Sequence, residues 1–294
     1  MDAHSHGLPK KYLVVAAEGD DYAKAQSIAH EVKSQLSLLG VVAHLSTDVD
    51  VPQYKADMVI AVGGDGTIMR AIKKYSPYGI PTFGINGGNV GFLTSAEADT
   101  WKNALVRLLE GAYRTEERFA LVVDYIPAGT DIVAESFGPV ANEVVVEHLE
   151  TQIAFRVEVG GTNFYGTEGL MARSVLVATA TGSTAQNVSH GGPILVPTSR
   201  HVALTPISPY KLTTRPLVLD ELEKGGSIDI RPLQFKDSVG VQLLIDGRKV
   251  TPSSGVIEAG ATFRVHAAAT PFLLVTFGPA AFARALQEKK GFAL

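Results

Sequence analysis

The sequence predicts an α/β domain followed by a mainly antiparallel β domain. Three observations carry this. Continuous apolar strands alternate with one-sided helices up to about residue 110. Beyond residue 118, short segments rich in Val, Ile, Thr and Phe replace them. The chain is also 294 residues long and 46% apolar, enough for about two domains with full cores.

Residues 12–17 form an apolar run with the texture of a buried parallel strand. Tyr22, Ala25, Ile28, Ala29, Val32, Leu36 and Leu39 recur at three- and four-residue intervals, which is one face of a helix, and Gly40 follows where a helix should end. Strands are expected at 41–45, 58–62 and 80–85, and a further helical stretch at 96–110. Strand–helix alternation of this kind calls for a parallel sheet with helices on both faces. In the second half, strands are expected at 119–126, 140–146, 153–159, 174–180, 227–230, 241–245 and 261–268, with a last helix from 280 to 290. The expected boundaries are a disordered tail at 1–10, an α/β domain at 11–118, a β domain at 119–277 and a C-terminal helix within 278–294.

Composition removes several function classes. A balance of 26 basic and 30 acidic residues, net −4, lacks the dense basic stripe that nucleic acid requires. With no cysteine there is no disulfide, thiolate nucleophile or cysteine-ligated metal. No apolar run reaches membrane-spanning length, and the first eleven residues lack a secretory core, so the expectation is a cytoplasmic protein without membrane contact. No clustered ligand set predicts a protein-built metal site. His4 and His6 read as part of a frayed tail, His190 as a loop histidine, and Arg231, Arg264, Lys289 and Lys290 as solvated charges. Asn187-Val-Ser189 fits a glycosylation sequon but has no secretory context.

The segment Gly63-Gly64-Asp65-Gly66-Thr67 directly follows a buried strand and opens a helical stretch at 68–74. A helix N-terminus beyond the carboxyl end of a strand offers free N–H groups and the positive dipole end, and glycines let the backbone approach a phosphate. Thr67 can cap the helix or donate to a ligand oxygen. Asp65 is the odd member, because a carboxylate repels phosphate unless it binds metal or takes a proton. Two readings stay open at this point: Asp65 caps the helix, or it is placed there for chemistry. The Walker and Gly-x-Gly-x-x-Gly spacings are absent.

Further strand-to-turn motifs follow in order: Gly84-Ile-Asn-Gly-Gly-Asn-Val-Gly-Phe-Leu93, Asn142-Glu143, Thr181-Gly-Ser-Thr-Ala185, Gly191-Gly-Pro-Ile194, Leu204-Thr-Pro-Ile-Ser-Pro209, Arg215-Pro-Leu-Val-Leu219 and Asp246-Gly-Arg248. Together, and from about Tyr12 to Phe282, they resemble the NAD kinase family, which phosphorylates the adenosine-ribose 2′-hydroxyl of NAD to give NADP. The resemblance implies a Rossmann-like N-terminal domain, a β-sandwich-like C-terminal domain and a final helix returning to the first. It also implies ATP or inorganic polyphosphate as donor, NAD or NADH as acceptor, Mg²⁺, and a homodimer or homotetramer.

Position by position, Asp65 matches the family's general base, with Gly63, Gly64, Gly66 and Thr67 in the loop that holds the donor phosphates. Arg70 falls where a basic ligand contact is usual, and Phe92 where an aromatic packs near the adenine. Asn142 and Glu143 match the pair that holds the dinucleotide. Thr184, Ala185 and Ser189 match the adenosine-binding turn, and Asp246 and Arg248 the late Asp-Gly loop. Two positions depart from the pattern. Arg173 stands where an Asp associated with the nicotinamide side is usual, and Gln186 where a Tyr is usual; either bears on acceptor choice, or neither reaches the ligand. Two other functions fit parts of the sequence: a lipid or sphingoid kinase sharing the Gly-Gly-Asp-Gly-Thr loop, and a non-catalytic dinucleotide sensor.

Overall fold

The structure, a computed structural model, describes residues 8–17, 19, 22–45, 55–87, 91–220, 222, 224–234, 240–278 and 280–290. His4, His6 and residues 88–90 of the second glycine turn lie outside them. Ordered backbone contacts begin inside the expected tail, since the N–H groups of Lys10 and Lys11 both donate to Asp57 Oδ2 (2.9 and 3.0 Å). The chain divides into two compact units, Met1–Glu117 with Phe272–Leu294, and Arg118–Pro271.

The first unit carries β1 (Lys11–Ala16), α1 (Ala23–Leu38), β2 (Val42–Leu45), β3 (Met58–Gly63), α2 (Asp65–Tyr75), β4 (Thr82–Asn86), α3 (Trp101–Leu109) and β5 (Arg114–Arg118). Its strand order is β2-β1-β3-β4-β19-β5, where β19 is Phe272–Thr276; the four inner pairings from β2 to β19 are parallel. Tyr12, Val14, Met58, Ile60, Val62, Phe83 and Ile85 share a core with Ile28, Val32 and Leu36 of α1 and Trp101, Leu105 and Leu108 of α3. Alternate strand residues face the other side: a Cβ on Gly84 would meet Ile68 Cδ1 of α2 at 3.2 Å. Helices therefore cover both faces, and β3, buried along its whole length, reads as an unbroken apolar run.

Two sequence expectations change here. The helical stretch at 96–110 begins only at Trp101, because Ala96 instead forms a β-bridge with Ile85. The second domain was expected to run to residue 277, but β19 pairs in parallel with β4. An apolar run does not say which sheet it joins. After β19 comes the last helix, α5 (Ala280–Lys290), grouped with the first unit.

The second unit is built from two antiparallel sheets. One has the order β10-β9-β15-β18-β6-β7 with β11 beside β9, and comprises β6 (Leu121–Ile126), β7 (Glu135–Val140), β9 (Ile153–Val159), β10 (Thr162–Asn163), β11 (Leu170–Ala172), β15 (Ser227–Gln234) and β18 (Thr262–Ala267). The other has the order β14-β13-β12-β8-β16-β17, with β8 (Glu143–His148), β12 (Ser174–Ala178), β13 (Val202–Ile207), β14 (Leu217–Leu219), β16 (Val241–Ile245) and β17 (Arg248–Val250). Val144, Val146, Val175, Val177, Val202 and Leu204 share one core with Leu121, Val123, Phe155, Val157, Ile230 and Phe263, as in a β-sandwich. Val145, Leu176, Ala178 and Ala203 face away from that core and pack with Ala180 and Leu195. The central strands β8, β12 and β13 are thus covered on both sides, whereas β9 alternates buried and half-buried residues.

Several strands escape the sequence pattern. β13 contains Pro206 and β7 contains Gly138 and Pro139. Pro206 lies past the last pairing with β14 (Leu204 with Leu217), and β7 is an edge strand, both places where a missing N–H is tolerated. Arg231 and Arg264 are not simply solvated. Arg231 Nε donates to Thr262 Oγ1 (2.8 Å), and Arg264 faces Asp229 across the β15–β18 ladder, bonded at 2.8–3.1 Å.

Candidate active site

The first cluster lies at the carboxyl end of β3. A Cβ on Gly63 would sit 2.6 Å from Thr67 Oγ1, so the strand can turn into α2 only with glycine there. Gly64 is the helix N-cap, and its carbonyl accepts from the N–H groups of Thr67 and Ile68 (2.9 and 3.2 Å). Asp65 is the first helical residue and does not cap. Its carboxylate spans to the second glycine turn: Oδ2 accepts from Phe92 N–H and Oδ1 from Leu93 N–H, each at 3.0 Å. This contact explains Gly91, whose Cβ would lie 2.5 Å from Asp65 Oδ1. Of the two readings of Asp65 left open by the sequence, the helix cap is therefore set aside. The residue is a brace between two loops, with its side chain half-buried.

Around Asp65, Gly64 and Gly66 face open space; a Cβ on either would touch nothing within 4 Å. Thr67 is buried against Gly63, while Arg70 is exposed one turn further along α2. The Phe92 ring packs on Phe282 of α5, with centroids 6.3 Å apart.

The second cluster lies where β8 begins. Asp246 and Gly247 are the two-residue turn of the β16–β17 hairpin, both with positive φ (49° and 73°), and Ile245 faces Arg248 across it. The turn aims the Asp246 carboxylate at the backbone leading into β8, where it accepts from Ala141 (3.1 Å), Asn142 (2.6 Å) and Glu143 (3.3 Å). Asp246 thus fixes the Asn142-Glu143 pair, and Arg248 stays exposed in β17.

Against that pair docks the turn Thr181-Gly-Ser-Thr-Ala185. Thr179 Oγ1 donates to the Ala141 carbonyl (2.6 Å), Thr179 N–H to Asn142 O (2.8 Å), and Gly182 N–H to Thr179 Oγ1 (3.0 Å). A Cβ on Gly182 would overlap the Asn142 carbonyl, so glycine is required for this approach. Ser183 Oγ donates to Ala180 O and accepts from Leu195 N–H (2.7 and 2.9 Å). Thr184 donates to Thr181 O (3.2 Å); Ala185 leads into α4 (Gln186–Ser189), whose last residue, Ser189, is exposed.

Glu143 is 3% exposed. Burial, and secondly the charge of Asp246, push its carboxyl up to about 7, against a hydrogen bond from the Gln186 backbone N–H that lowers it. Its Oε2 and the hydroxyl of Thr181 are buried without a hydrogen-bond partner. Two such atoms in one cluster mark a place where a ligand bearing hydroxyl or amide groups would complete the bonding. Position 186 reaches Glu143 through its backbone N–H, a contact that the Gln-for-Tyr departure leaves in place.

Arg173 does not join this cluster within the chain. It precedes β12, while the turn follows that strand, a separation of roughly 20 Å along an extended backbone. Exposed, it pairs with Glu147 (3.5 Å) and donates to Leu149 O (3.1 Å). Among the described residues no three His, Asp or Glu side chains are grouped to hold a metal, and no helix is long and apolar enough to cross a membrane.

Two family models match the chain: the ATP-NAD kinase N-terminal domain over residues 15–113 and the ATP-NAD kinase C-terminal domain over residues 118–276. The chain belongs to the ATP-NAD kinase family. Among relatives of this kinase, the NAD kinase of Symbiobacterium thermophilum is 34% identical over 229 residues, 72% of this chain and 77% of the relative. That of Wolinella succinogenes is 33% identical over 241 residues, 80% and 76% of the two chains. The fold also matches yeast NADH kinase solved with NADH (TM-score 0.77, 18% identity, 97% of this chain and 89% of that one). An NAD kinase from Archaeoglobus fulgidus solved with ATP matches at TM-score 0.71 and 22% identity, over 96% and 100% of the two chains.

Sequence reasoning passed over Thr179, Gly182 as a steric requirement, and the structural part of Asn187, which it read only as part of a sequon. Gly191-Gly192-Pro193 and Thr205-Pro206 did signal the last of these, because both motifs close around the Asn187 side chain.

Proposed function

We propose that the chain transfers the γ-phosphoryl group of ATP to the 2′-hydroxyl of the adenosine ribose of NAD. The acceptor oxygen forms a bond to phosphorus, the bond to the ADP oxygen breaks, and the hydroxyl proton passes to Asp65. A secondary alcohol is a poor nucleophile, so a carboxylate at hydrogen-bond distance is the group such a transfer needs. The observation that carries this reading is the Asp65 carboxylate, fixed by two N–H groups between glycines whose missing side chains leave open space. Alignment and charge cancellation do most of the remaining work in phosphoryl transfer, and the first N–H groups of α2 are suited to the donor phosphates.

Mg²⁺ fits as a cation carried on the donor phosphates. Asp65 is kept for the proton in this reading, so the donor phosphates and water would hold the cation. The Asn142-Glu143 pair and the turn at 181–186 hold the dinucleotide in this reading, supported by the two unpartnered buried oxygens there. The lipid-kinase reading rested on the Gly-Gly-Asp-Gly-Thr loop alone; a match over both halves of the chain does not favour it.

The test is Asp65→Asn. NADP formation from ATP and NAD is expected to fall by about 10²–10⁴-fold, with NAD and ATP binding measured alongside because the amide disturbs the bonds to Phe92 and Leu93. A folded variant with full activity overturns the assignment. Running polyphosphate against ATP and NADH against NAD on the wild type establishes donor and acceptor.

A further inference from the structure

Asn187 is 0% exposed and bonded to three separate segments. Its amide nitrogen donates to Ser183 O (3.3 Å) within the turn and to Pro193 O (2.9 Å) beyond it, using both donors. Its Oδ1 accepts from Thr205 Oγ1 of β13 (2.7 Å), itself fully buried. The amide also fills the space a side chain at position 192 would need, since a Cβ on Gly192 would overlap it. One side chain therefore gathers the turn at 181–186, the Gly191-Gly192-Pro193 segment and strand β13. The residue immediately before it, Gln186, supplies the backbone N–H that reaches the Glu143 carboxylate.

We propose that Asn187 is a positioning residue for the dinucleotide: it fixes the turn and the Gln186 N–H on Glu143, and so sets affinity for NAD without touching the phosphoryl donor. This rests on the function proposed above. The chemistry is specific to an amide. Asn187→Asp keeps the shape but turns an oxygen toward the carbonyls of Ser183 and Pro193, which then face an acceptor where they had a donor. Thr205→Val is gentler, removing only the hydroxyl that Oδ1 accepts from, and Thr205→Ser keeps it.

Steady-state kinetics with NAD and ATP varied separately test this, together with thermal melts. Asn187→Asp should raise KM for NAD by roughly tenfold or more, the scale of a buried polar group left unpaired. Thr205→Val should raise it less, Thr205→Ser little, and KM for ATP should stay within about twofold in all three. A structural role alone would not move one further readout. The pH midpoint of NAD affinity governed by Glu143 should shift upward in Asn187→Asp, because the Gln186 N–H that lowers it is displaced. Unchanged KM for NAD and an unchanged midpoint in folded Asn187→Asp, or equal rises for NAD and ATP, overturn the proposal; if that variant does not fold, Thr205→Val against Thr205→Ser decides in the same way. A wild type that binds NAD but forms no NADP overturns the functional reading instead, and direct NAD titration of the variants still tests Asn187.

Discussion

At the scale of single residues, the two acidic side chains of the second cluster do opposite work. Asp246 spends its carboxylate on three backbone N–H groups and so holds the start of β8. Glu143, buried beside that charge, is held up to about 7 and keeps one oxygen unpartnered. The consequence for stability has a definite sign. In the unfolded chain Glu143 ionises near its ordinary value of 4.5, so between there and about 7 the folded state holds the extra proton. Its contribution to stability therefore falls as pH rises through that window and levels off above it. Glu143→Gln removes the titration: the difference in Tm, variant minus wild type, should grow in the variant's favour from pH 5 to 7.5 and then stay flat. A constant difference across that range would show that Glu143 is not raised.

At the scale of elements, the turns are decided by close approach of backbones. Gly63 ends the buried strand β3 and Gly182 lies in the turn that follows β12, and both would collide with a neighbour if they carried a side chain. Gly64 and Gly66 would not. Gly182→Ala is therefore expected to push the turn away from Asn142, lowering Tm by several degrees and abolishing NAD binding, whereas Gly64→Ala should leave Tm within about 2 °C and impair catalysis alone. Thermal melts with NAD and ATP titrations separate the two outcomes. The amphipathic helix α1, the buried strand β3 and strand β16, which matched its expected bounds, were readable because their periodicity is imposed by one nearby sheet. Edge strands were not: β5 is largely polar and β7 is broken by Gly and Pro, since an edge gains little from apolar side chains and tolerates a missing N–H.

For the molecule as a whole, the chain leaves its first unit at Glu117 and returns at Phe272 to place β19 between β4 and β5. Phe272, Leu274 and Val275 are buried there. Burying three such side chains contributes roughly 6 kcal/mol, a large part of the about 5–15 kcal/mol that holds a typical domain. Ending the chain after Pro271 should leave 118–271 resistant to limited proteolysis while residues 11–117 become labile. Equal resistance of both segments would show that β19 is dispensable.

The glycine turn after β3, the Asn142-Glu143 pair and the Thr181–Ala185 motif were legible in the sequence, and so was the family they resemble, because their chemistry lies in residue types and spacing. Tertiary structure alone decided what those residues touch. It made Asp65 a brace between two loops rather than a helix cap, set Asp246 behind Glu143, and put Arg173 at the far end of β12. It also turned an apparent sequon into the buried hub at Asn187. The reason is physical. Local sequence fixes how a backbone turns and which face is apolar, but a side chain's hydrogen-bond partners are supplied by segments far along the chain, and only folding brings them within 3 Å.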